Sequence, residues 1–167
     1  MVNLNLARIN AASPYAVSLA KGGDCRFTSD SGAIYFVSFI EDEILQSAES
    51  YEIVISNPSN KKSPRDTKLR DTILTIIYEF FESSESALLY ICDTGDSKQQ
   101  MRHRLFSYWF NTAPRKDDFA FMSADIRDAD GMQNYAAIII RLDNPYFESV
   151  ISEFYETVRT LREKPRQ

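Results

Sequence analysis

The chain has 167 residues, which is enough for one domain whose hydrophobic core needs no disulfide or metal to hold it together. A hydrophobic content of 44% with 26% charged residues is typical of a globular protein. The formal net charge of -5 argues against bulk attraction to nucleic acid or to an anionic membrane. The two cysteines, Cys25 and Cys92, cannot form a disulfide framework, and no apolar run approaches the roughly 18 residues that span a bilayer.

The N-terminus lacks the basic segment and the sustained apolar stretch of a signal peptide, so we expect a cytoplasmic protein without a membrane partner. Residues 1–12 show little hydrophobic periodicity. We expect them to form a loosely attached arm, followed by one domain over residues 13–164. Alternating apolar side chains then predict four short strands near residues 15–19, 25–28, 33–40 and 51–55.

Helices are first predicted after a loop of chain-breaking residues that ends at Pro64. Ser63 is a good N-cap and Pro64 suits the first helical position, so the first helix is expected to run from there to about Glu82. The elements predicted beyond it are a strand over 87–92, a helix over 96–111, a hairpin of strands 118–126 and 134–142, and a helix over 144–163.

The predicted order is therefore four strands, a helix, a strand, a helix, two strands and a helix. Hairpins with few helices between the strands favour an α+β fold over a doubly wound α/β fold. We expect a mainly antiparallel sheet of about seven strands, with three helices packed mostly on one face.

The junction over residues 87–110 is the best place to look for a chemical site. An apolar strand leads into a turn with Asp93 and Asp96, and then into a helix that carries the only His and the only Trp of the chain. Asp93-Thr94-Gly95 after an apolar run matches the start of an aspartic-protease catalytic loop, but those enzymes need two such carboxylates on β-barrel lobes. A capped helix follows here at once, which favours an ordinary turn.

Asp93 and Asp96 are also spaced to share a Mg²⁺ ion with a substrate phosphate. However, Asp96 followed three residues later by Gln99 forms a helix capping box, which needs no ligand. We therefore expect neither a resident metal nor a cofactor.

A cysteine nucleophile is a further alternative, because Cys92 ends a strand shortly before His103. The helix face predicted for the core carries Met101, Leu105 and Tyr108. His103 points almost directly away from that face, so Cys92 and His103 are not expected to meet.

Positive charge gathers in the same helix, at Arg102, His103 and Arg104, although the chain as a whole is acidic. Arginine and aromatic side chains together can bind phosphate backbones and stack on bases. The alternative function is thus a phosphate-recognising protein, either a nucleic-acid binder or a Mg-dependent phosphoesterase, centred on Asp93, Asp96, Arg102 and Arg104. An ordinary solvated helix face has the same composition.

Two further aromatic residues, Phe106 and Phe110, lie on the far side of this helix from its predicted core face, near His103. A helix with two apolar faces is either enclosed in its own domain or covered by a partner, and a single helix layer favours the partner. We hypothesise that His103, Phe106 and Phe110 belong to a homodimer or protein-partner surface. Because no catalytic motif is present, contact with another protein is the first functional expectation.

The pattern at this junction resembles a small family of uncharacterised proteins, mostly from Bacteroidetes. That family pairs aromatic N-terminal strands with a strand-turn-helix of the form Cys-Asp-x-x-Asp, followed by Arg, Phe and Trp. The matching residues here are Tyr35, Phe39, Cys92, Asp93, Asp96, Arg104, Phe106 and Trp109. The resemblance implies a bacterial, cytoplasmic, single-domain protein and implies no activity.

Overall fold

A seven-stranded sheet with α-helices is seen in the computed structural model, which describes residues 2–58, 66–92, 99–127, 131 and 133–163. The strands are β1 (Ser18–Leu19), β2 (Cys25–Thr28), β3 (Ile34–Asp42), β4 (Ser50–Ser56), β5 (Ala87–Cys92), β6 (Phe119–Arg127) and β7 (Gln133–Arg141). The helices are α1 (Leu6–Ala12), α2 (Thr67–Ser83), α3 (Gln99–Asn111) and α4 (Phe147–Glu163), with a 3-10 turn at Lys116–Asp118. The predicted α+β class and the number of strands are confirmed.

The strand order in the sheet is β1-β2-β3-β4-β5-β7-β6. Pairing is antiparallel between β1 and β2, β2 and β3, β5 and β7, and β7 and β6. The strands β4 and β5 run parallel, with Ser50 opposite Ala87, and α2 lies between them in the chain. Parallel neighbours need such a crossover, because a tight turn cannot return the chain in the same direction.

The chain divides into two compact units. Unit 1 consists of the chain up to Ile40 together with Ile53–Glu85, and unit 2 consists of Glu41–Glu52 together with the chain from Ser86 onward. The core of unit 1 includes a stack of three rings, in which Phe27 lies 5.9 Å from Tyr15 and 5.4 Å from Tyr35 between ring centroids.

The N-terminal segment, expected as a loose arm, contains helix α1 of unit 1. Ile9 of this helix is completely buried. The Asn5 side chain caps the N-terminus of α1 by accepting from the Arg8 N–H at 3.0 Å. Glu79 of α2, only 6% exposed, accepts from Arg8 Nη2 at 2.6 Å and from the Asn5 backbone N–H at 3.1 Å. The described helices therefore number four and not three, because a seven-residue helix is too short to show clear periodicity in the sequence.

Helix α2 begins with Asp66 as its N-cap, whose Oδ1 accepts from the Leu69 N–H at 3.0 Å. The other oxygen of Asp66 accepts from the Tyr15 hydroxyl at 2.6 Å. The predicted cap, Ser63 with Pro64, lies outside the described residues. The predicted apolar stripe of this helix is buried: Leu69, Ile73, Ile76, Ile77, Phe80 and Phe81.

In unit 2, the predicted hairpin is confirmed as β6 and β7, paired without interruption from Phe119 opposite Arg141 to Arg127 opposite Gln133. One face of these strands and of β5 packs on α4 through a cluster of eight buried residues: Leu45, Ala87, Leu89, Ile138, Ile140, Val150, Phe154 and Val158. None of the described helices is both long and apolar enough to cross a membrane.

The opposite face of the same strands packs on α3, so the helices of unit 2 do not share one face of the sheet. Tyr90 and Tyr135 alternate with Leu89 and Ile138 along their strands and contact α3 instead of α4. The sequence predicts helices mostly on one face of the sheet. The structure differs here because β5 and β7 are apolar on both faces. Strands of that kind are stable only when both faces are covered.

Candidate interaction surface

Helix α3 is attached to the sheet of unit 2 by two aromatic residues. Phe106 and Phe110 are only 3% and 2% exposed. The Phe106 ring stacks on Tyr90 of β5, with centroids 4.1 Å apart and planes 18° from parallel. The Phe110 ring stacks on Phe121 of β6 at 5.3 Å and meets Phe119 edge-on at 5.7 Å. Aromatic pairs at these distances contribute beyond the area they bury, so this is the anchored side of the helix.

The opposite side of α3 is exposed to solvent. Met101, Leu105 and Tyr108 have exposed fractions of 61%, 48% and 62%. These are the residues that the hydrophobic pattern predicted to face the core, so the orientation predicted for this helix is wrong. Phe106 and Phe110 consequently lie in the core of their own chain and offer no surface for a partner.

Helix α3 has two apolar stripes, and its sequence pattern alone does not show which of them is buried against the sheet. Rings bury more area than Met or Leu side chains, and the strands beneath the helix present Tyr90, Phe119 and Phe121. The Phe106 and Phe110 side of the helix therefore gains more from facing inward. The signal that favoured this outcome in the sequence was the aromatic content of the three neighbouring strands.

We define the outer face of α3 as Met101, Arg104, Leu105 and Tyr108. The three apolar residues follow the i, i+4, i+7 spacing that aligns side chains along one side of a helix. Arg104 is exposed beside them and makes no ion pair with any described residue. The helix itself, from Gln99 to Asn111, contains no acidic residue. The outer face thus combines apolar contact area with positive charge.

His103 lies at the side of α3 and packs inside the chain. Its imidazole stacks on the Tyr135 ring of β7, with centroids 4.5 Å apart and planes 17° from parallel. Burial lowers the pKa of His103, and the nearby charge of Asp125 opposes this shift only in part. The ring is therefore held in its neutral form more strongly than a free histidine. The predicted separation of His103 from Cys92 stays a prediction, because the Cys92 side chain lies outside the described residues.

The residues proposed for phosphate or metal chemistry are only partly described. Asp93 and Asp96 lie outside the described residues. Arg102 is half-buried and Arg104 is exposed, and two positions along an α-helix correspond to about 200° of rotation, so these two arginines cannot converge on one phosphate. In the described part of the chain, no group of three or more His, Cys, Asp or Glu side chains is placed to hold a metal ion.

A pair of carboxylates that sequence reasoning passed over lies near the end of β3. Asp42 Oδ1 accepts from the Ser50 hydroxyl at 2.6 Å and from the Ile44 N–H at 3.1 Å. Burial, and then the charge of Asp42, raise the pKa of Glu52. These bonds of Oδ1 hold the connection between β3 and β4, whereas Asp42 Oδ2 is buried and makes no hydrogen bond to a described residue.

The comparison with protein families matches residues 65–156 to a family of unknown function, DUF6169. That match covers more than half of the 167 residues. The chain belongs to the DUF6169 family. The matched segment of this DUF6169 protein runs from before α2 into α4 and contains the whole of α3. A comparison with curated proteins finds no match.

Proposed function

We propose that this DUF6169 protein acts by binding another protein chain through the outer face of α3. The observation that carries the proposal is the exposure of Met101, Leu105 and Tyr108, each about half exposed or more. They lie in one line along a helix whose opposite side packs on the sheet. Isolated apolar residues on a surface need no explanation, but three aligned along one helix form an exposed apolar patch of the kind that marks interaction sites. Met and Tyr are also among the residues enriched in protein interfaces.

The charge of this face supports a partner that is both apolar and acidic. Arg104 stands beside the apolar line, and no acidic side chain of α3 offsets it. Complementary charge speeds encounter and fixes the orientation of a complex more than it adds affinity. An amphipathic helix that presents apolar residues at helical spacing, flanked by Asp or Glu, would match this face.

A second copy of the chain fits this particular face less well. A two-fold antiparallel contact between two α3 helices, centred on Leu105, would place the Arg104 side chains of both copies on the same side near the axis. Like charges so close are unfavourable, and neither helix brings a carboxylate to compensate.

The phosphate-recognising alternative has less support. It depends on Asp93 and Asp96 together with two arginines that point to different sides of α3. We also propose a bacterial, cytoplasmic setting, which rests on the sequence resemblance and the composition.

The proposal is tested with a photo-crosslinking amino acid introduced at Leu105 and, as a matched control, at Ser152, which is exposed on α4. Both proteins are produced in the source cells, and crosslinked chains and their attachment points are identified by mass spectrometry. We expect one partner to be crosslinked at position 105 and not at position 152, with the attachment point in an acidic, apolar segment. Arg104→Glu should reduce this crosslink, because it reverses the charge beside the contact.

Purified components then give a quantitative test. Calorimetric titration of the identified partner should show binding weakened about tenfold or more by Leu105→Ala or Arg104→Glu, and weakened by added salt. Equal crosslinking at both positions, or binding indifferent to both substitutions, would contradict the proposal. Crosslinking to a second copy of the chain at position 105 would replace the acidic partner with a homodimer.

A further inference from the structure

The outer edge of β6 is a second surface, independent of α3's outer face. In the strand order, β6 stands last, paired with β7 on one side only. It has nine residues, and its register with β7 contains no bulge. One long row of its backbone groups therefore has no strand partner among the described strands.

The hydrogen bonds around β6 show which residues direct their backbone groups outward. The Leu142 N–H donates to the Asp118 carbonyl at 3.0 Å, so even-numbered positions face β7. Antiparallel pairing alternates along a strand, which leaves odd-numbered positions facing outward. In agreement, Arg162 Nη2 on α4 donates to the carbonyl of Asp125 at 2.9 Å.

The part of β6 between Asp118 and Asp125 is called the open segment. The outward backbone groups of Phe121 and Ser123 make no hydrogen bond to any described residue. Proteins usually protect a sheet edge with charged side chains, proline, a bulge or a covering loop. The residues from Phe119 to Ala124 include no charge, no proline and no glycine, and Arg162 donates to the Asp125 carbonyl just beyond them. An edge of this kind favours pairing with another strand.

We infer that β6 pairs antiparallel with β6 of a second copy of this chain, with Ser123 on the two-fold axis. In this register, Ser123 lies opposite Ser123 of the second copy, and Phe121 lies opposite Asp125 of the second copy. The two Ser123 residues exchange two hydrogen bonds, and each Phe121–Asp125 pair adds two more. Every outward donor and acceptor of the open segment is then used, and the Asp125 carbonyl can accept a second bond beside that from Arg162.

The side chains support a copy of the same strand as the occupant. The residues at the centre are small, Ser123 and Ala124, and Met122 would lie opposite Ala124 of the second copy. The charged residues Asp125 and Arg127 would face phenylalanines and not their own counterparts, so no like charges lie directly opposite each other. The outer edge of β6 is thus complementary to itself in hydrogen bonding, side-chain size and charge, so a second copy of the chain can pair with it.

Sedimentation equilibrium of the purified full-length protein, from about 1 to 200 µM, tests this inference. We expect a monomer–dimer equilibrium in the wild type. Ser123→Pro removes one outward N–H without touching the ladder to β7, and Ser123→Lys brings two ammonium groups together at the axis. Each should raise the dissociation constant at least tenfold, whereas Ser152→Lys on α4 should leave it unchanged. Circular dichroism confirms that every variant is folded.

A crosslinking experiment tests the register. In a Cys92→Ser background, oxidation of Ser123→Cys should give a covalent dimer, because residues opposite each other in a hydrogen-bonded pair have Cα atoms about 5.5 Å apart. Arg127→Cys, which faces Phe119 of the second copy, should crosslink far more slowly. A wild type that is monomeric throughout, faster crosslinking at position 127, or a dimer unaffected by both Ser123 substitutions would overturn the inference. Loss of the dimer in Leu105→Glu alone would place the contact on α3 instead.

Discussion

His103 of α3 and Tyr135 of β7 stack face to face, with ring centroids 4.5 Å apart and planes 17° from parallel. Together with Phe106 on Tyr90, this contact sets the rotation of α3 about its own axis. Once these rings face the sheet, Met101, Leu105 and Tyr108 must face solvent. The candidate interaction surface is therefore a direct consequence of how the inner side of the helix packs.

The His103 stack makes stability depend on pH. Burial lowers the folded-state pKa of His103 below its usual value of about 6.5, so the unfolded chain binds a proton more readily. The stabilisation of the neutral ring is fully present above about pH 6.5 and is lost as the pH falls from there through the folded pKa. Urea unfolding at pH 7.5 and pH 5.5 should show a larger loss in the wild type than in His103→Phe, which keeps a stacking ring. Equal losses would mean that His103 does not contribute.

The orientation of α3 is tested by two neighbouring substitutions. Phe106→Ala removes a buried ring and should cost about 3 to 5 kcal/mol of the free energy of unfolding. Leu105→Ala removes an exposed side chain from the same helix turn and should change stability by less than about 0.5 kcal/mol. Chemical denaturation measures both. Similar losses for the two variants would show that both sides of the helix are buried in solution.

The attachment of α1 depends on Glu79. Glu79→Gln keeps the shape of the side chain but removes its charge, and it leaves one oxygen to accept from Arg8 where Glu79 uses two. We expect a lower free energy of unfolding, and faster backbone amide exchange throughout α1. Glu148→Gln, at an exposed position of α4, is the matched control and should have little effect. Unchanged exchange in α1 would show that the charge of Glu79 is not needed to hold the helix.

Cys25 should be unreactive in the folded protein. Its side chain is completely buried, and burial raises the pKa of the thiol to about 11. Only the thiolate attacks a disulfide reagent, so in a Cys92→Ser background Cys25 should react at least about a hundredfold more slowly in buffer than in denaturant. A native rate close to the denatured rate would indicate that β2 opens readily. The measurement uses a chromogenic thiol reagent at about pH 8.

Several elements were predictable because their signals are local. The strand over Ala87–Cys92 and the hairpin of β6 and β7 agree with the predicted bounds to within a residue or so. The stripe of α2 was also recognisable, since its apolar residues occupy one side of a long helix. The sequence predicts the start of α4 at Asn144; the helix begins at Phe147, just after Asn144, whose side chain accepts from the Tyr146 N–H at 2.8 Å.

The sequence by itself determined the class of the fold and the position of most elements, because alternation, helical spacing and capping residues act within a few residues of each other. It also determined that α3 has two apolar sides and a net positive charge. Only the tertiary structure decided which of those sides is buried, because that choice depends on Tyr90, Phe121 and Tyr135, which come from three strands elsewhere in the chain. The open edge of β6 was decided in the same way, since a strand is an edge only once every other strand has its place in the sheet.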